Sequence, residues 1–347
     1  MIGPTLPGAG SVSPNMMIYQ NAIGRNTEGD LTIQLGAIYM FTEIGSPPAL
    51  ADFIISREAE SPGSAVRLTW NPAVFTTPPR IYAMTGDGTG QYINDNSQST
   101  WVLVFNGTDL EPNIPAELGS FSLDLANNGL LHNDQVGTGP LEVYYKAVAT
   151  GGTLEEAPAV GKILNTAYGQ SNYNMIGVPL VQNLNSTFLD VLSGAISKSG
   201  IEFYKFDNPG DRYVPAIYSG AWNTEDITLT TGDAAWIYNP LSEDLVLTIV
   251  GGVPSAEGNT STVAVDVYGG GRYSMISNPY PQGGKLSVIG LEPLAGSEIY
   301  YFDNVAHTYV PALADGNAWD NDLFITPGTA MWYYRTGADL NWQTTIQ

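Results

Sequence analysis

The segment Tyr173-Asn-Met-Ile-Gly-Val-Pro-Leu180 returns 100 residues later as Tyr273-Ser-Met-Ile-Ser-Asn-Pro-Tyr280. Four more matches follow in the same order at spacings of 96 or 97 residues: Phe206-Asp-Asn208 with Phe302-Asp-Asn304, Tyr213-Val-Pro-Ala216 with Tyr309-Val-Pro-Ala312, Ala221-Trp222 with Ala318-Trp319, and Thr231-Gly-Asp-Ala-Ala-Trp-Ile-Tyr238 with Pro327-Gly-Thr-Ala-Met-Trp-Tyr-Tyr334. Ordered matches with such small insertions indicate a tandem duplication. Ordinary domain length places the two copies at residues 158–255 and 256–347.

Each copy has the residue pattern of β-strands separated by turns. Ile201-Glu-Phe-Tyr-Lys-Phe206 and Glu298-Ile-Tyr-Tyr-Phe302 are rich in β-branched and aromatic residues, and an Asp-Asn turn closes each of them. Only Thr187-Phe-Leu-Asp-Val-Leu192 and its counterpart Lys285-Leu-Ser-Val-Ile-Gly290 have the composition of a short helix. We therefore expect each copy to fold as a compact β-sandwich or barrel.

Residues 46–157 predict a different β unit. Val66-Arg-Leu-Thr-Trp70, Trp101-Val-Leu-Val-Phe105 and Leu141-Glu-Val-Tyr-Tyr-Lys-Ala-Val148 are strand-like runs between clusters of Gly, Asn and Pro. Strands at such intervals are typical of a β-sandwich. The 39 Gly and 23 Pro of this 347-residue chain also demand many turns and few long helices. The sequence therefore predicts an all-β protein of several domains.

Two resemblances accompany these patterns. Leu68-Thr-Trp70 and Val143-Tyr-Tyr-Lys-Ala-Val148 lie where a fibronectin type III domain has its core Trp and its Tyr-rich strand, so residues 46–157 resemble this immunoglobulin-like sandwich. The duplicated unit looks like a Trp- and Tyr-rich β module of large secreted bacterial cell-surface proteins. Both resemblances imply binding or structural modules without catalytic residues, and the second implies an extracellular location.

Residues 1–45 form an N-terminal arm with two apolar stretches, Met16-Met-Ile-Tyr19 and residues 31–41. Leaving its large side chains in water would forgo roughly 1.5–3 kcal/mol for each one that could be buried. Two interpretations are open: the arm completes a sandwich of its own chain, or it adds a strand to a neighbouring subunit and links copies into a homopolymer. The assembly residues of the second interpretation are Ile33, Leu35, Ile38, Met40 and Phe41.

Acidic residues dominate the charge of the chain. It has 34 Asp and Glu residues against 12 Lys and Arg residues, which gives a net charge of −22 at pH 7. We expect such a surface to repel nucleic acid and anionic membranes, and no apolar run approaches the roughly 20 residues of a membrane helix. Cations, neutral polymers such as glycans, and copies of the same chain are the expected partners. The first ten residues lack the basic and apolar regions of a signal peptide.

No residue pattern in the chain predicts catalysis. There is no Cys, and the two histidines, His132 and His307, are expected in exposed turns without a nucleophile motif such as Gly-x-Ser-x-Gly. The histidines do not have the spacing of a transition-metal site, and no feature selects a glycosidase-like pair among the many carboxylates. We therefore expect a protein that is not an enzyme.

Ca²⁺ has better candidate ligands. Residues 85–96 place acidic and amide oxygens in a Gly-rich loop, and Ca²⁺ takes about six to eight oxygen ligands. The turn Asp207-Asn-Pro-Gly-Asp211 is a weaker candidate, because the second copy has no counterpart of Asp211. An ordinary Asp- and Asn-rich turn is the favoured alternative for each segment. The candidate ligands are Asp87, Asn94, Asp95, Asn96, Asp207 and Asp211.

The aromatic residues of the two copies permit two interpretations. Their recurrence at equivalent positions favours a role in the core of the fold, and the alternative is a stacking platform for sugar rings. The set comprises Trp222, Trp236, Trp319, Trp332 and Trp342 together with Tyr204, Tyr213, Tyr218, Tyr238, Tyr300, Tyr301, Tyr309, Tyr333 and Tyr334.

The combination of tandem β modules and an apolar arm predicts an extracellular structural or adhesive protein of the cell surface. In this interpretation the chain is a self-assembling subunit of a filament, sheath or layer. Two alternatives stay open. One is a carbohydrate-binding surface module, and the other is a viral decoration or fibre protein.

Overall fold

The computed structural model is almost entirely β. It describes residues 23–25, 31–33, 52–58, 65–86, 101–133, 142–154, 157, 159–183, 185–192, 196–254, 256–257, 260–261, 263–280 and 283–344. Contacts divide the chain into two compact units, Met1–Pro48 and Ala49–Gln347. In the first unit, β1 (Ile23–Arg25) and β2 (Leu31–Ile33) form an antiparallel hairpin. Ile33 ends β2, and the other predicted arm residues, Leu35, Ile38, Met40 and Phe41, lie outside the described residues.

The second unit contains short antiparallel strands and very little helix. Among the described residues, a short α-helix, α1, spans Phe188–Leu192, and 3-10 turns occur at Ala116–Leu118 and Leu125–Asn127. The strands are β3 (Phe53–Arg57), β4 (Val66–Trp70), β5 (Arg80–Thr85), β6 (Val102–Phe105), β7 (Ser120–Asp124), β8 (Gly129–Asn133), β9 (Glu142–Val148), β10 (Ala159–Ala167), β11 (Asn172–Gly177), β12 (Glu202–Asp207), β13 (Arg212–Ile217), β14 (Ala234–Asn239), β15 (Leu245–Gly252), β16 (Ala256–Glu257), β17 (Thr260–Ser261), β18 (Val265–Val267), β19 (Arg272–Ser277), β20 (Gly284–Lys285), β21 (Glu298–Asp303), β22 (Thr308–Asp315), β23 (Ala318–Trp319), β24 (Phe324–Ile325), β25 (Ala330–Arg335) and β26 (Leu340–Trp342). The predicted all-β fold class is confirmed.

A β-sandwich opens the second unit. Its sheets have the strand orders β3-β4-β8-β7 and β15-β10-β9-β5-β6. Alternate residues of β4 point into the core between the sheets, where Trp70 stacks on Phe105 at 5.8 Å between ring centroids. The second sheet continues from β9 through β10 to β15, so the predicted domain border between residues 157 and 158 falls between two strands of one sheet. The borders of the predicted domains stay predictions.

The two sequence copies contain sheets of the same strand order. The first copy has β11-β14-β12-β13, and the second has β19-β25-β21-β22 with the short β23 added at its edge. The registers also agree, because Trp236 lies opposite Met175 and Tyr204, whereas Trp332 lies opposite Met275 and Tyr300. The strand β18 of the second copy pairs with β26 as β10 pairs with β15.

The copies differ where the sequence predicted a short helix in each. In the first copy α1 forms, and Thr187 and Asp190 exchange hydrogen bonds at its start in the arrangement of a capping box. In the second copy β20 and a run of turns occupy the equivalent segment, so the helix prediction for Lys285–Gly290 is wrong. Gly290 has φ of +84°, a left-handed conformation that a helix cannot contain.

Arg57, at the end of β3, joins the sandwich to α1. Its guanidinium donates hydrogen bonds to the carbonyl oxygens of Val191 at 2.5 Å, Asp190 at 2.6 Å and Leu189 at 3.2 Å. Carbonyl groups at the end of a helix have no partner within the helix, so a cation satisfies them well. Burial lowers the pKa of Arg57, and the Asp190 carboxylate acts in the opposite direction.

We expect Arg57→Met to lower the free energy of unfolding by about 1.5–3 kcal/mol, because several carbonyl groups lose a charged donor. Urea unfolding followed by circular dichroism measures the loss. Arg212→Met is the matched control, since the side chain of Arg212 is 75% exposed and its substitution should change stability by less than about 0.5 kcal/mol. Equal losses in the two variants would contradict the assignment.

Candidate functional site

The sheets of the two copies pack against each other through their second faces. The first face of each sheet covers the core of its own copy, where Phe203 stacks on Phe188 at 4.6 Å between ring centroids. The second face carries the next residues along the same strands, because successive strand residues point to opposite sides. These residues form a shared cluster of Met175, Phe206, Ala234, Trp236, Met275, Phe302 and Ala330, against which Tyr204 and Trp332 pack.

Reciprocal hydrogen bonds join the two copies. The Asn304 side chain accepts a hydrogen bond from the Met175 backbone N–H at 2.7 Å and donates one to the Met175 carbonyl at 2.8 Å. The Asn208 side chain does the same at Met275, with distances of 2.7 and 3.1 Å. Met175 and Met275 lie on edge strands of their sheets, so each Asn satisfies backbone groups that the sheet leaves unpaired. The arrangement has the pattern of a two-fold interface, in which residue i contacts j and j contacts i.

The aromatic contacts repeat this two-fold relation. Trp236 meets Phe302 edge to face with ring centroids 4.8 Å apart and planes at 78°, and Trp332 meets Phe206 with the same two values. Tyr309 lies 6.4 Å from Trp236, and Tyr213 lies 6.3 Å from Trp332. Edge-to-face pairs of this kind contribute about 0.5–1.5 kcal/mol beyond their buried area. The interface is therefore specific in geometry as well as apolar.

Two open clefts flank the shared cluster, and each takes residues from both copies. Cleft 1, of about 650 Å³, is lined by Ser171, Asn172, Tyr173, Tyr204, Tyr213, Trp236, Phe302, His307 and Tyr309. Cleft 2, of about 470 Å³, is lined by Phe206, Asp211, Tyr213, Tyr273, Tyr300, Tyr309 and Trp332. Both volumes lie in the range of roughly 300–1,000 Å³ typical of sites for small ligands.

The two clefts are equivalent under the two-fold relation. Tyr173, Tyr204 and Trp236 in cleft 1 correspond to Tyr273, Tyr300 and Trp332 in cleft 2. Tyr213 and Tyr309 correspond to each other and line both clefts, so the clefts adjoin. The turns at their rims differ, because His307 of the second copy stands where the first copy has Asp211.

Exposed tyrosine rings form the surface of both clefts. Tyr173 is 48% exposed, and its ring packs against Tyr238 at 4.8 Å between centroids. Tyr273 is 41% exposed and packs against Tyr334 at 4.9 Å. Each ring is therefore nearly half exposed, with a second aromatic ring packed against it at a tilt of 39° or 45°. A preformed aromatic surface of this kind loses little side-chain entropy when a ligand binds.

Carboxylates beside the tyrosines supply polar groups. Tyr300 donates a hydrogen bond to Glu298 at 2.5 Å, and Tyr204 donates to Glu202 in the equivalent place. This bond to the carboxylate, together with desolvation, raises the pKa of Tyr300 to about 12, and burial together with Glu202 raises the pKa of Tyr204. Both phenols therefore stay protonated at neutral pH, and their oxygens together with the second carboxylate oxygens can accept hydrogen bonds from a ligand.

The raised pKa of Tyr300 predicts a loss of stability in alkali. The folded state binds the phenol proton more tightly than the unfolded state, whose pKa is about 10. As the pH rises from about 10 to about 12, the unfolded chain loses this proton first, so the free energy of unfolding falls through this window and is unaffected below it. Urea midpoints measured on both sides of the window should fall less steeply for Tyr300→Phe than for the unchanged protein. Identical slopes would contradict the assignment.

The predicted Ca²⁺ ligands are divided between described and undescribed parts of the chain. Asp87, Asn94, Asp95 and Asn96 lie outside the described residues. Asp207 ends β12, with its carboxylate 3.5 Å from Nε of Arg212, and Asp211 lies in the following turn with φ of +51° at the rim of cleft 2. In the described ranges no three acidic or histidine side chains are grouped as metal ligands would be. Calcium binding stays a prediction.

The two histidines differ in environment. His132 is fully buried in β8, where Nδ1 lies 2.5 Å from the Tyr145 hydroxyl and Nε2 lies 2.5 Å from the Leu118 carbonyl oxygen. The prediction of an exposed turn for His132 is therefore wrong, because Gly129–Asn133 pairs with β4 as a strand. His307 does lie in a turn, between β21 and β22, with its ring edge-on to Tyr168 at 6.3 Å.

The aromatic residues of the set lie in two different environments. Trp222, Trp319 and Trp342 belong to the cores of their own copies. Trp236 and Trp332 instead lie between the copies and line the clefts, and the tyrosines beside them reach solvent. No residue pattern indicated a binding role for Tyr173 and Tyr273, although they begin the repeated segment, and Asn208 and Asn304 were predicted only as turn residues.

In the part of the chain that the structure describes, no helix has the length and apolar character needed to cross a membrane. No family model matches this sequence, and no curated protein is significantly similar to it.

Proposed function

We propose that this protein is a non-catalytic surface module that binds neutral glycans in clefts 1 and 2. The observation that carries the proposal is the pair of equivalent clefts with solvent-facing tyrosine rings. The apolar C–H face of a sugar ring stacks on such an aromatic face, and the phenol hydroxyl at the ring edge can bond a sugar hydroxyl. An extracellular, adhesive role agrees with this binding and is part of the proposal.

The polar groups of the clefts fit a ligand rich in hydroxyl groups. Tyr204 and Tyr300 line the clefts with hydroxyl groups that donate to Glu202 and Glu298 just outside the lining, and Asn172 adds an amide to cleft 1. Carboxylates and amides are good partners for hydroxyl groups, because each sugar hydroxyl both donates and accepts. Aromatic faces together with such groups favour a carbohydrate over a purely apolar ligand.

The charge of the clefts favours a neutral glycan over an acidic one. The residues that line them include no Lys or Arg, and the chain carries a net charge of −22. A sulfated or uronic-acid polymer would meet electrostatic repulsion that no Lys or Arg of the lining offsets. Neutral oligosaccharides meet no such repulsion.

A glycan array followed by titration calorimetry tests the proposal. We expect binding of uncharged oligosaccharides, and we expect a combined Tyr173→Ala and Tyr273→Ala variant to lose at least about tenfold in affinity, because both stacking faces are removed. Phe324→Ala is the matched control, since Phe324 is an aromatic residue with 52% exposure outside both clefts. Binding of proline-rich peptides instead of sugars, or no binding by the folded protein, would overturn the proposal.

Self-assembly through the N-terminal arm stays a prediction, because most of the predicted arm lies outside the described residues. Deleting residues 1–45 tests it. Folded monomers that no longer polymerise would support strand addition to a neighbour. A truncated chain that still forms ordered polymers would contradict it, and a chain that unfolds would show that the arm completes its own domain.

A further inference from the structure

The two-fold relation between the clefts has a consequence for the direction of bound glycan chains. The line that joins two sites related by a two-fold axis is perpendicular to that axis. The 180° rotation that exchanges the two sites therefore reverses every direction along this line. A glycan chain is directional, because its two ends differ. One continuous chain that ran from cleft 1 into cleft 2 would therefore enter the second cleft backwards and could not repeat the contacts of the first.

We infer that the protein binds two separate glycan chains, one in each cleft, and so cross-links them. This inference rests on the proposed function. It is carried by the reciprocal bonds of Asn208 and Asn304, which establish the two-fold relation, and by Tyr213 and Tyr309, which line both clefts. Along the line that joins the two clefts, the two chains have opposite directions, because the two-fold rotation reverses that component alone.

The two clefts are expected to bind the same class of glycan with unequal affinity. The stacking faces of Tyr173 and Tyr273 are equivalent, and both are held by a second tyrosine behind them. The rim of cleft 1 carries His307, whereas the equivalent position at the rim of cleft 2 is Asp211, and cleft 1 has the larger volume. Titration with a short oligosaccharide that binds in the array should therefore give two sites per chain with different dissociation constants.

Variants that disable one cleft at a time test the inference. Tyr173→Ala should remove the site in cleft 1, and Tyr273→Ala should remove the site in cleft 2, so each leaves one site per chain. Both side chains are nearly half exposed, so neither variant should unfold the protein. A capture assay then reads cross-linking directly: the protein is bound to an immobilised glycan polymer, and a fluorescent oligosaccharide of the same glycan is added.

The unchanged protein and Phe324→Ala should both capture the fluorescent oligosaccharide, whereas each single-cleft variant should bind the polymer and capture at least about tenfold less. If titration gives one site per chain, and either substitution abolishes that site, then a single glycan spans both clefts. This result would overturn the inference but would leave the proposed glycan binding intact. Retained capture by both single variants would also overturn it. If no sugar binds the folded protein, the proposed function itself fails.

Discussion

Gly177→Ser is expected to destabilise the second unit by about 3 kcal/mol or more, at the upper end of the effects of overpacking. Gly177 ends β11 at the interface between the copies, opposite Ser277 of β19. A Cβ atom at Gly177 would lie 2.3 Å from Cβ of Ser277 and 2.5 Å from the backbone oxygen of Gly328. The backbone of β19 fixes the Cβ of Ser277, and a backbone hydrogen bond from the Gly328 N–H to the Asn278 carbonyl holds the turn, so neither neighbour can rotate away. The midpoint of urea unfolding measures the loss.

The two-fold relation provides the control for this prediction. Gly177 and Ser277 are equivalent positions, so Gly177→Ser combined with Ser277→Gly exchanges the two residues across the interface. The double variant should regain part of the stability lost by Gly177→Ser, because the contact with Cβ of Ser277 is relieved while the contact with the Gly328 oxygen stays. Ser277→Gly alone should cost about 1–2 kcal/mol, since Oγ of Ser277 bonds the Val178 N–H and the Asp233 carbonyl. Purely additive losses in the double variant would contradict the steric explanation.

The repeated segment predicted the strands of both copies well. Residue spacing within one strand is a local property, and equal local patterns give equal registers, as the pairing of Met175 with Trp236 and of Met275 with Trp332 shows. The aligned segments already differ at Gly177 and Ser277. That difference has a meaning only when the two residues are known to face each other across an interface.

The clefts were harder to predict, although one signal was present. Both faces of β12 carry aromatic residues, with Phe203 on one face and Tyr204 and Phe206 on the other. A strand with large apolar residues on both faces is covered on both sides. The pattern therefore indicates a partner for the second face. It cannot identify the other copy as this partner, because the choice depends on contacts between residues nearly 100 positions apart.

The roles of Asn208 and Asn304 also could not be read from the sequence. An Asn after Asp at the end of a strand is the usual composition of a turn, and both residues do lie in turns. Their side chains nevertheless bond the backbone of Met275 and Met175 in the other copy. Turn propensity is local, whereas these bonds exist only when the two sheets face each other.

Trp236→Ala is expected to cost about 3–5 kcal/mol, the range for removal of a large buried aromatic side chain. Trp236 is 8% exposed, and its ring contacts Phe302, Tyr173 and Tyr309. Burial raises the pKa of Tyr213, and the neighbouring indole of Trp236 acts in the opposite direction. The substitution therefore leaves a cavity between the copies and removes one wall of cleft 1.

Trp332→Ala is the matched comparison, because Trp332 makes the equivalent contacts and is only partly buried. We expect a smaller loss than for Trp236→Ala, since less apolar surface leaves a buried environment. Urea unfolding should be followed by circular dichroism, because each variant also lacks a fluorescent ring. A loss below about 1 kcal/mol for Trp236→Ala would mean that the interface between the copies contributes little to stability. In that case the clefts would lack the rigid wall on which the stacking tyrosines depend.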